Sequence, residues 1–180
     1  MLSRFWVMVL QALTGMMQRN SLKTSTKPSQ SWPDGVNKLN GIEFVTNLER
    51  QLCRDEELRL KPYRDSVGKL SIGVGRNLDD NGIRESEAMS MLRNDVIEVI
   101  HEAEGLDVWW NLDEERQGVI ANMLFNMGLK RLLTFEKMFK ALEKGDYELA
   151  STEMMDSKWA RQVGDRASRL SEQMKKGVWL

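Results

Sequence analysis

Apolar residues return every three or four positions from Ile42 onward, and an alternation of two interrupts that rhythm between Tyr63 and Arg76. Val45, Leu48 and Leu52 share one helical face, and Glu56 continues their line four residues later. Two readings stay open for Glu56. Either its carboxyl lies on the apolar face where leucine is expected, or the helix ends and the side chain turns to solvent. Pro62 stops any helix from passing through Lys61. Leu70, Ile72 and Val74 then alternate with Ser71, Gly73 and Gly75, while Gly68 supplies a tight turn, so a β-hairpin is expected with Ser71 off the apolar face of its strand. The remainder reads as helix. A broad stripe over Glu85–Glu104 predicts a long helix packed on more than one side. Asp113 caps the next helix, which stops at Gly128. Thr134 opens another, closed near Gly145, and Tyr147–Trp159 and Arg166–Lys176 follow, the last stopped by Gly177. The fold class expected is α+β: a small β-hairpin lobe and a larger helical lobe joined by the long helix.

Upstream the pattern differs. Residues 1–19 hold an apolar segment, of which 2–17 fall short of the roughly 18–20 apolar residues that span a membrane. Its helical spacing, the arginine at its start and the poor cleavage site after it leave three readings open: an uncleaved membrane anchor, a docked amphipathic helix, or a fusion remnant. Residues 20–41, rich in Ser, Thr, Lys and Asn with Pro and Gly, read as a linker, and 42–180 as the globular domain.

Composition narrows the chemistry. The net charge of −1 gives no field that favours nucleic acid. Cys53 and His101 are the only residues of their types, which removes internal disulfides, histidine triads and histidine-rich metal sites. Cys53, within an apolar helical stripe, is expected to be a buried structural thiol, and the methionines core filler. Gly73 and Gly75 lack the third glycine of a nucleotide loop, since Leu78 stands there. The run Asn77–Gly82 lacks the ligand spacing of a calcium loop and is expected to be a plain turn. No metal and no cofactor are expected. The work then falls to carboxylates and hydroxyls. Glu56, Asp65 and Ser71, on a helix end and a hairpin, are the parts of a glycoside-hydrolase site.

The residues Asp55-Glu56, Leu58-Arg59-Leu60-Lys61, Tyr63, Asp65, Gly68 and Ser71-Ile72-Gly73-Val74-Gly75 resemble the active-site segment of the phage-T4-type lysozymes. The likeness continues through Asn122-Met123-Leu124-Phe125-Asn126-Met127-Gly128 and from Ser157-Lys158-Trp159 to Arg166-Ala167 and Arg169, covering roughly residues 42–180. It implies a lysozyme-like fold and a muramidase, an endolysin that hydrolyses the β-1,4 bond between N-acetylmuramic acid and N-acetylglucosamine in peptidoglycan, with inversion. By that similarity Glu56 is the general acid, Asp65 the second carboxylate, and Ser71 stands where threonine is usual. Phe125, Asn126 and Gln162 line the saccharide cleft, and Arg166 supports the acid.

The residue-level reading runs alongside. A glutamate on an apolar stripe is kept protonated by desolvation, while Asp65 and Ser71 on a polar hairpin stay wet and hold a water. Three departures bear on rate and specificity: Ser71 for threonine, Arg76 for a histidine that would face Asp65, and Asn126 for glutamine. The segment between hairpin and long helix is also shorter than in the best-known member. Further expectations are a monomer, peptidoglycan as partner, membrane association through residues 2–17, and a bacterial host cell as setting, with the enzyme cytoplasmic or tethered to the inner membrane before release to the wall. Two other readings compete: a lytic transglycosylase on the same substrate, and a wall-binding or tail-associated module with little catalysis.

Overall fold

The computed structural model describes residues 38–180, with side chains from Gly41 onward. The apolar segment at 1–19 and most of the linker lie outside the described residues. The described chain divides into two compact units, one ending at Asp79 and the other spanning Asp80–Leu180.

The smaller unit begins with helix α1, Lys38–Asp55, which starts inside the stretch expected as linker. Its apolar line is present but half open: Val45, Leu48 and Leu52 keep 38–43% of their surface exposed. Cys53 is also exposed, contrary to the buried thiol expected. It follows Leu52 by one residue, so it is turned some 100° away from that line around the helix. After α1 come three antiparallel strands, β1 Arg59–Arg64, β2 Leu70–Gly73 and β3 Arg76–Asn77, in spatial order β1-β2-β3. Tyr63 faces Ser71 and Arg64 faces Leu70 across the first pair, with a bulge between Arg59 and Tyr63. Ser71 faces Asn77 across the second. The expected hairpin is therefore two-thirds of a sheet. Gly68, at φ +83°, makes the tight turn as expected, in a conformation that an L side chain resists. The polar turn expected at Asn77–Gly82 contains one turn of helix, α2, Leu78–Asn81.

The larger unit is all helical. Helix α3, Glu85–Ala103, opens it. It is capped by Glu87, whose carboxylate accepts the backbone N–H of Arg84 at 2.7 Å. The expectation that this helix packs on several sides holds only at its C-terminal end. There Val99, Ile100 and Ala103 join the core, while Met91, Leu92, Val96 and Ile97 remain 39–57% exposed. After a 3₁₀ turn at Trp109–Asn111 comes α4, Glu114–Met127, with Asp113 accepting from the Arg116 N–H as the expected cap. It is followed by α5, Leu129–Leu132, α6, Glu136–Glu143, α7, Tyr147–Met155, α8, Lys158–Val163, and α9, Asp165–Lys176.

Two boundaries differ from expectation. Thr134 does not open a helix. Its hydroxyl donates to the Arg131 carbonyl at 2.7 Å and closes the turn before α6. The stretch Tyr147–Trp159 is not continuous either, because Ser157 caps a new helix by accepting the Ala160 N–H.

The core is built from Val119, Ile120 and Met123 of α4, Leu132, Met138, Met154 and Met174, all fully buried. The four methionines among them are core filler, as expected, their unbranched chains filling gaps between short helices that meet at varied angles. Arg116 is the exception in this apolar setting. It is only 9% exposed, lies 3.7 Å over the Tyr147 ring, pairs with Asp113, and donates to the carbonyls of Met174 at 2.8 Å and Lys175 at 3.1 Å. The last carbonyls of a helix lack intrahelical donors, so one guanidinium both satisfies them and meets the negative end of α9.

Candidate active site

In the smaller unit, Glu56 stands one residue past α1, its N–H still bonded to the Leu52 carbonyl at 2.9 Å. Glu57 ends the helix with φ +59°, the left-handed conformation typical of helix C-termini but usually filled by glycine. Its carboxylate accepts from Arg59 Nε at 3.1 Å and Nη2 at 2.9 Å, a fork that ties the turn to the start of β1. Glu56 is thereby left exposed at the helix end. The desolvation expected from its place on an apolar line is not present at this position, because the helix stops and the line itself is half open.

Asp65 is the best fixed of the predicted residues. It sits between β1 and β2, and its Oδ1 accepts two backbone N–H groups, from Val67 at 3.0 Å and Lys69 at 2.9 Å. Its own N–H donates to the Lys69 carbonyl and its carbonyl accepts from Gly68, so backbone and side chain are locked by one turn. Oδ2 is turned the other way, with the Ser71 hydroxyl 3.5 Å from it. Ser71 is 2% exposed, which corrects the expectation that it stays wet. β2 is the middle strand of three, and the short β3, which period-two reading could not register, flanks it on the second side. Ser71 is therefore placed to orient Asp65 from behind, not to hold solvent itself.

In the larger unit, α4 carries two asparagines one turn apart, Asn122 and Asn126, on one face. Each holds a side chain from a later helix. Asn126 Oδ1 accepts from Trp159 Nε1 at 2.8 Å, leaving its amide N–H groups as donors. Asn122 Oδ1 accepts from Arg166 Nε at 2.9 Å and Nη2 at 2.6 Å, and Nη2 also reaches the Asn122 carbonyl at 3.3 Å. Asn126 and Gln162 line one cleft of about 740 Å³, with Trp159 and the edge-packed Phe135 as its aromatic wall. Its charged rim includes Lys137 and Glu153, 3.9 Å apart. Phe125, 46% exposed, lines a separate, shallower hollow beside Asp95, Glu98 and Glu102. The structure thus joins Asn126 with Gln162 and Asp65 with Ser71, but sets Phe125 in another depression from Asn126. Residue patterns singled out neither Trp159 nor Asn122 for a role. The available signal was the i, i+4 spacing of two amides in the otherwise apolar later half of the helix, from Gly118 to Met127.

Among the described residues, no group of three His, Cys, Asp or Glu side chains is placed to hold a metal ion. None of the described helices is long and apolar enough to cross a membrane.

Comparison with known proteins bears on the family. The chain is similar to two probable T4-type lysozymes of Dictyostelium discoideum. One is 27% identical over 157 residues, covering 71% of this chain and 92% of that protein. The other is 26% identical over 165 residues, covering 75% and 97%. It is also similar to the pre-baseplate central spike protein Gp5 of Enterobacteria phage T4, 27% identical over 154 residues, which is 69% of this chain but 27% of that protein. The family described as phage lysozyme matches residues 54–176, from the helix end that bears Glu56 to the last residue of α9. Spanning both units and more than half of the sequence, that match makes the chain a member of the phage lysozyme family, a lysozyme-like cell-wall glycosidase.

Proposed function

We propose that the protein is a muramidase that hydrolyses the β-1,4 bond between N-acetylmuramic acid and N-acetylglucosamine in bacterial peptidoglycan, with inversion, and serves as an endolysin in host lysis. The observation that carries this reading is Asp65. Two backbone N–H groups fix one of its oxygens, so the other has a set direction beside the Ser71 hydroxyl. Inversion needs such a base, a carboxylate held still on one side of the sugar while it orients an attacking water. Glu56, at a helix end separate in sequence from that turn, is the acid that protonates the leaving oxygen. Inverting enzymes hold the two carboxyls about 6.5–9.5 Å apart, leaving room for the water. In the same proposal Arg166 supports the acid, and Phe125, Asn126 and Gln162 bind the glycan.

Peptidoglycan suspensions test this directly. Glu56→Gln and Asp65→Asn are each expected to abolish clearing, and the wild-type rate should be bell-shaped in pH, with one limb for the acid and one for the base. Unchanged clearing by Glu56→Gln would end the catalytic assignment. Mass spectrometry of the released muropeptides separates hydrolysis from transglycosylation. Reducing ends support the proposal, whereas anhydro ends would replace it with a lytic transglycosylase. The similarity to a phage spike protein favours one second reading, a tail-associated lysozyme that opens the wall on entry. Detection of the protein in purified virions would support that reading over an endolysin.

A further inference from the structure

We infer that Asn122 is a positioning residue for the reaction, holding Arg166 in place without neutralising it. This rests on the proposed muramidase reading, in which Arg166 supports the acid. The grip is specific. Nε and Nη2 of Arg166 converge on one oxygen of Asn122, and Nη2 also reaches the carbonyl of the same residue. Those contacts use the Nε–Nη2 edge of the guanidinium, so the N–H groups of Nη1 are the ones left for another partner.

The choice of partner is informative. An arginine fastened only for stability is served best by a carboxylate, whose charge compensates its own; Arg116 pairs in that way with Asp113 in the same unit. Arg166 is held by a neutral amide and a neutral carbonyl instead. Its position is fixed and its full positive charge remains available to an anion. Both helices are anchored at this point, since Met123, next to Asn122, and Ala167, next to Arg166, are fully buried.

A double-mutant cycle on the full chain tests this, with clearing rates measured against peptidoglycan concentration to separate kcat from KM. Asn122→Ala is expected to lower kcat about ten- to a hundredfold, as misplacement of an orienting group does, with KM changed less than about twofold. In an Arg166→Ala background the same substitution is expected to cost nothing further. Asn122→Asp keeps the geometry but cancels the charge, and is expected to be as slow as Arg166→Ala while unfolding no earlier than wild type. Additive losses, or full activity of Asn122→Asp, would overturn the inference. Glu56→Gln, run alongside, separates the two failures. If it is inactive while the cycle is additive, only the role of Asn122 falls; if it is active, the muramidase reading falls first.

Discussion

Glu57 bears a backbone conformation that its side chain disfavours, and it does so beside the residue assigned as the acid. At φ +59° a non-glycine residue costs about 1–2 kcal/mol, offset here in part by the Arg59 fork. Glu57→Gly is therefore expected to stabilise the protein by up to about 1 kcal/mol, and the β-branched Glu57→Val to destabilise it by about 1–2 kcal/mol, both read from urea unfolding. Ser71 poses the opposite case, a buried residue with a hydroxyl on the carboxylate it orients. Ser71→Ala is expected to slow clearing through loss of the Asp65 contact. Ser71→Thr restores a χ1 restricted by branching and is expected to be faster than wild type.

At the scale of elements, the glycine-closed helix C-termini were the most legible features and the sheet the least. Apolar spacing marks α3, α4 and α9, and glycines mark the stops at Gly128, Gly145 and Gly177, because helical periodicity and left-handed caps are local properties. The third strand is two residues long, too short to show alternation, so Ser71 could not be read as lying in a middle strand. The break at Ser157 was hidden because serine serves equally as a cap and as a tolerated helical residue. The grips of Asn122 and Asn126 join residues more than 30 positions apart, and neither spacing nor composition records such pairs.

The junction of α4, α7 and α9 also makes the sharpest prediction at this scale. A Cβ on Gly177, at φ +67°, would lie 2.8 Å from the Arg116 Cζ, so Gly177→Ala is expected to cost more than the ~1 kcal/mol of an ordinary left-handed glycine, measured by thermal unfolding. The ion pair of Lys175 with Glu148 at 2.5 Å spans α9 and α7 and raises the lysine above its usual value. Its contribution is present at neutral pH and fades as pH rises through that raised value. Being exposed, it is small and weakens with salt.

For the whole molecule, the open question is how it reaches its substrate. One of the three readings of residues 2–17, a tether to the inner membrane until release, makes a prediction at this scale. Cell fractionation is expected to find residues 1–180 enriched in the membrane fraction and residues 41–180 in the soluble one; equal partition would remove the tether. The two asparagines of α4 bear on the timing of synthesis. Their partners Trp159 and Arg166, and the carbonyls held by Arg116, come 33 to 59 residues later in the chain. Proteins emerge from the ribosome N-terminus first. A nascent chain that already displays Glu56 and Asp65 therefore still has an unfastened helix α4 and no fixed Arg166. In the proposed mechanism, the arginine that supports the acid is therefore fastened only after α9 has emerged.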